Sequence, residues 1–93
     1  MASFTIRVEL HGATRDHYVR LHGHLAQRGI TTTIVADNGV RYHLPPAEYN
    51  YEGNATRAAV LGAVRECAAA VGLPNAVLVT ERNGCMWEGL QPA

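Results

Sequence analysis

Ile30-Thr31-Thr32-Thr33-Ile34-Val35-Ala36-Asp37-Asn38-Gly39-Val40-Arg41-Tyr42-His43-Leu44 is the stretch on which the fold of this chain turns. Ile30 to Ala36 is rich in Ile, Thr and Val, side chains that suit a pleated, half-buried surface, and predicts a strand. Asn38-Gly39 supplies two residues that tolerate positive φ, as a tight type I′ turn requires, and Val40 to Leu44 predicts the returning strand. A two-residue turn fixes the pairing, with Asp37 opposite Val40, Val35 opposite Tyr42 and Ile34 opposite His43.

Upstream of the hairpin, Phe4, Ile6, Val8 and Leu10 alternate with Thr5, Arg7, Glu9 and His11, the period of two that marks a strand with one buried face. Gly12 breaks it. Thr14 is placed to cap a helix reaching about Arg28, with Asp16 in its first turn, where a negative charge favours the helix dipole, and Gly29 as its stop. Tyr18, Leu21, His22, Leu25 and Ala26 fall on one side of that helix and are expected to face the sheet. Downstream, Pro45-Pro46 ends the third strand, and the polar stretch to Thr56, with Tyr49 and Tyr51, reads as the longest loop.

Asn54 or Thr56 can cap a second helix, whose Val60, Leu61, Val64, Cys67, Ala68 and Val71 form a continuous apolar stripe until Gly72 and Pro74 end it. Ala76 to Arg82 predicts the fourth strand. The tail, residues 83–93, carries Met86, Trp87 and Leu90 and is too apolar to stand free of a partner surface. The order strand, helix, strand, strand, helix, strand implies an α+β fold, a ferredoxin-like βαββαβ sandwich. In that fold a four-stranded antiparallel sheet carries both helices on one face and leaves the other open. At 93 residues and 10.1 kDa the chain fits one domain, residues 1–93.

Composition removes several function classes. Eight basic residues balance eight acidic ones, so no global field draws in nucleic acid, and RNA binding would need a local patch. No leader pattern opens the chain and no run approaches membrane-spanning length, which predicts a cytoplasmic protein without membrane insertion. Cys67 and Cys85 are too few and too far apart for a disulfide framework or a metal knuckle, so both read as reduced thiols. The chain has no Gly-rich phosphate loop and no Gly-x-Ser-x-Gly elbow, and its first loop lacks the paired cysteines of a metal chaperone.

Imidazole chemistry is what remains. His22 and His24 are two residues apart and point in different directions from a helix, which suits no shared ion. His17 and His24 share a face but lack a carboxylate, so no metal and no cofactor is expected. His22 lies within the apolar stripe, where a histidine satisfied by one core hydrogen bond competes with a catalytic one. Arg20 can hold a phosphate with its planar fork, and Arg7, Arg41 and Arg82 can add to a local patch. Glu9 and Asp37 could serve as acid, base or metal ligand, although a cross-strand partner and a turn residue are their ordinary roles.

Tyr18-Val19-Arg20-Leu21-His22, Ile34-Val35-Ala36-Asp37-Asn38-Gly39 and Tyr42-His43-Leu44-Pro45 together resemble a family of short bacterial proteins grouped with GhoS-like type V antitoxins. The similarity is diffuse but runs from the first strand to the fourth. It implies a ferredoxin-like fold and an endoribonuclease that cleaves single-stranded RNA, the message of a small membrane toxin. It also implies an Arg-x-Arg pattern in the first helix, of which Arg20 matches the first position and His22 replaces the second. The mechanism that these residues suggest needs no metal and draws its catalytic set from Arg20, His22 and His24. His22 or His24 would take the ribose 2′-hydroxyl proton while Arg20 stabilises the charge that develops on phosphorus. The alternative is a non-catalytic interaction or regulatory module, a homodimer in which the apolar tail crosses to cover a partner's sheet edge.

Overall fold

The computed structural model describes residues 1–93, and its first strand follows the alternation closely. In β1 (Ala2–Leu10) the side chains of Phe4, Ile6, Val8 and Leu10 are buried while Arg7 and Glu9 are exposed. α1 (Arg15–Ala26) begins at Thr14 and buries Leu21 and Leu25, with Tyr18 and His22 half-buried beside them. Ala26, expected on that inner side, is exposed. Gly29, at φ 74°, ends the helix: its N–H bonds Ala26 O, and Ile30 N–H returns to Leu25 O, both at 3.0 Å.

After two short strands, β2 (Thr33–Val35) and β3 (Arg41–His43), comes β4 (Glu48–Gly53), an element the sequence reading had as loop. Tyr49 and Tyr51 point into the core and Asn50 and Glu52 to the other side, a strand alternation that the neighbouring prolines and polar residues disguise. α2 (Arg57–Val71) starts where Thr56 Oγ1 accepts from Ala59 N–H at 3.1 Å and stops at Gly72, φ 87°. Its stripe is buried at Val60, Val64, Cys67, Ala68 and Val71. β5 (Asn75–Arg82) completes the chain's regular elements.

The architecture is a small α+β domain with two helices and antiparallel strands, but the expected single four-stranded sheet is replaced by two sheets. One has the order β4-β1-β5; the other is the β2–β3 hairpin. β4, and not a strand of the hairpin, lies beside β1, pairing Ile6 with Tyr49 and Phe4 with Tyr51. Thr31 alone continues the larger sheet past β4, exchanging both backbone bonds with Asn50 at 2.9 and 2.8 Å.

The hairpin also departs from the predicted register. Thr33 pairs with His43, Ile34 with Tyr42 and Val35 with Arg41, one residue away from the two-residue-turn pairing. The loop has three residues: Gly39 N–H bonds Ala36 O at 2.9 Å, and Ala36 N–H bonds Val40 O at 2.8 Å. Gly39 alone takes positive φ (85°), while Asn38 uses its side chain, accepting from Val40 N–H at 3.0 Å. This is a type I turn closed by a glycine bulge, whose twist also suits the strands.

Both helices cover the face of the larger sheet that carries Phe4, Ile6, Val8 and Tyr49, and this layer holds the main core. Ile34 is buried outside that core, on the hairpin, which folds toward the opposite face. The apolar tail folds back on its own chain. It lies along β3, with His43 N–H on Gln91 O and Ala93 N–H on Arg41 O, each at 2.9 Å, and Trp87 packed edge-on against Tyr42 at 5.7 Å. No helix is long and apolar enough to cross a membrane.

Candidate functional site

The three nominated residues stand on α1, and the helix separates them. Successive positions rotate by about 100°. Arg20 and His24, four apart, therefore share a side, while His22 faces nearly the opposite way. Arg20 is exposed and His24 half-buried, and neither enters the two ion pairs of the molecule, Arg28–Glu66 and Arg57–Glu81.

His22 is committed elsewhere. Its Nε2 lies 3.0 Å from the Tyr49 hydroxyl, with the rings 5.3 Å apart edge-to-face. Burial lowers the His22 pKa, and it pushes the Tyr49 phenol up to about 12 with a smaller contribution from Tyr18. A neutral imidazole and a neutral phenol sharing one hydrogen bond satisfy each other in a half-dry setting, as a structural histidine does. A lowered folded-state pKa makes the unfolded chain the better proton acceptor. The His22 contribution to stability is then full above about pH 6.5 and is lost as pH falls from there through the folded value. Thermal melts between pH 7.5 and 5.5 are expected to show a falling midpoint, and His22→Gln to flatten that fall; an unchanged slope in the variant would assign the pH dependence to other groups.

His17 is occupied as well. Its Nδ1 accepts the Thr14 backbone N–H at 2.9 Å and lies 3.0 Å from Thr14 Oγ1, a histidine doing the reciprocal capping that Glu or Gln usually does. The His17 and His24 pair is thus divided between a helix start and an uncommitted position, and no three His, Cys, Asp or Glu side chains converge. Burial raises the thiol of Cys67. No family model matches the chain, and no curated protein matches it.

The arginines do not gather into one patch. Arg7 and Arg82 stand on the sheet face away from the helices, on the far side of the layer from Arg20. Arg82 is held flat by Nη1, which donates to Phe4 O at 2.7 Å and to Thr5 Oγ1 at 3.4 Å. Arg41 donates to Thr33 Oγ1 at 2.7 Å.

Sequence reasoning missed a cleft of about 470 Å³ between the hairpin, the tail and this second sheet face, lined among others by Ile34, Asp37, Tyr42, Glu52, Arg82 and Trp87. Its two carboxylates against one guanidinium oppose a phosphate backbone. It depends on the tail folding back and on β4, neither of which was foreseen; the Tyr49-Asn50-Tyr51-Glu52 alternation was the one available signal.

Proposed function

We propose that the chain is a ferredoxin-like ribonuclease of the GhoS-like antitoxin type, cleaving single-stranded RNA. The bridge at Thr31, then β4, β1 and β5, with two helices on one face, supports the ferredoxin-like reading if the β2–β3 hairpin is taken as an extension of the second strand. The observation that carries the catalytic reading is the pairing of Arg20 with His24, one helical turn apart on the outer side of α1 and engaged by no ion pair. His22, tied to Tyr49, becomes a positioning residue that fixes α1 against β4.

In this mechanism His24 accepts the 2′-hydroxyl proton, the 2′-oxygen bonds to phosphorus, and the bond to the 5′-oxygen breaks. The 5′-oxygen receives the proton back from the imidazolium, leaving a 2′,3′-cyclic phosphate. Arg20 stabilises the phosphorane oxygens through its donors. No metal enters the scheme. An RNA oligonucleotide carrying a single 2′-deoxy position tests it: cleavage should stop at that linkage alone and continue elsewhere. Cutting at the deoxy linkage would reject the mechanism.

A non-catalytic interaction module is the second reading. It is favoured by the mixed charge of the cleft and by the loss of His22 to a structural bond.

A further inference from the structure

The longest free sheet edge in this chain belongs to β5. On β4 the outward groups of Asn50 are taken by Thr31, the tail takes those of Arg41 and His43 on β3, and β2 offers three residues. β5 runs for eight residues, Asn75–Arg82, and pairs only with β1. The direction of its free groups follows from β1. Val8 N–H reaches Ala47 O on the β4 side and His11 N–H reaches Pro74 O on the β5 side, so odd-numbered β1 residues bond toward β5. Their partners Ala76, Leu78 and Thr80 therefore turn inward, and Asn75, Val77, Val79 and Glu81 present N–H and C=O outward. None of these outward groups takes part in a loop or cap hydrogen bond.

Strands that avoid intermolecular pairing carry Lys, Pro or a bulge at the edge. From Asn75 to Thr80 this strand has no charge and no proline. Leu78 is 62% exposed on the sheet face away from the helices, and Val77 and Val79 are half-buried on the other. Its one acid, Glu81, already faces Arg57 at 3.6 Å.

We propose that β5 pairs antiparallel with β5 of a second copy about a two-fold axis at Leu78, joining two three-stranded sheets into one. In this register Val77 meets Val79 of the other copy as a hydrogen-bonded pair, because both direct their backbone groups outward. Leu78 meets Leu78, Ala76 meets Thr80, and Glu81 meets Asn75, so no like charges oppose one another. Moving the axis to Val79 sets Glu81 against Val77, a charge facing an apolar side chain, which favours the Leu78 register. The pairing is isologous and independent of the ribonuclease reading.

Sedimentation velocity of the full chain from low micromolar to submillimolar concentration tests this, together with Leu78→Lys and Leu78→Glu. Leu78 is exposed, so both variants should keep the wild-type circular dichroism spectrum. Wild type should dimerise. Each variant alone opposes like charges at the axis and should weaken the dimer at least about tenfold, and an equimolar mixture should restore a heterodimer. A monomeric wild type, an undiminished Leu78→Lys dimer, or a mixture that stays monomeric overturns the proposal. If a variant loses its fold, amide exchange of wild type decides: Val77 and Val79 should exchange markedly faster on dilution, and concentration-independent exchange overturns it.

Discussion

Tyr49→Ala is expected to remove about 3–5 kcal/mol of stability, the usual cost of deleting a large buried ring, which is a major share of what a domain of this size possesses. Tyr49 is 1% exposed, packs in the main core, pairs through its backbone with Ile6 and gives His22 its hydrogen-bond partner. Tyr49→Phe keeps the ring and loses only that hydroxyl, so it should cost about 1 kcal/mol. Urea denaturation separates the two. A loop tyrosine would give little loss in either variant, so an alanine variant within about 0.5 kcal/mol of wild type would reject β4 as a core strand.

The second large effect concerns chemistry. Arg20→Ala should lower RNA cleavage roughly a hundredfold or more, the scale seen when one donor to a developing oxyanion is removed. The fold should survive, because Arg20 is exposed and outside the core. Arg20→Lys should recover part of the rate, since an ammonium supplies charge without the planar fork. His22→Ala is the less clean variant: it breaks the link to Tyr49, so any lost activity mixes with lost packing. Initial rates on a labelled single-stranded RNA, with circular dichroism of each variant, measure the effect; equal rates for wild type and Arg20→Ala would remove Arg20 from the mechanism.

Four elements were legible because their signals are long and redundant. β1 alternates over its whole length, α1 and α2 have apolar stripes bounded by Thr14 and Gly29 and by Thr56 and Gly72, and β5 is a compact run of apolar and β-branched residues. β4 was not legible because Pro45-Pro46 and the polar Asn50 and Glu52 outweighed the two tyrosines that face the core. The hairpin was placed correctly and its register was not. Asp37-Asn38-Gly39 admits a two- or a three-residue loop, and the Asn38 side chain bonding Val40 N–H belongs to the longer one. At the site, spacing alone put Arg20 with His24 and turned His22 away. The bond from His22 to Tyr49 spans 27 positions and joins a helix to a strand that had been read as loop, so nothing local announced it.

The most direct test of the central claim is incubation of the purified protein, free of contaminating nuclease, with labelled single-stranded RNA and the matching DNA from pH 5 to 8, with and without chelator. The account predicts that the RNA is cut to 2′,3′-cyclic phosphate ends, that chelator changes nothing, and that the DNA survives. RNA that stays intact across the whole pH range contradicts it.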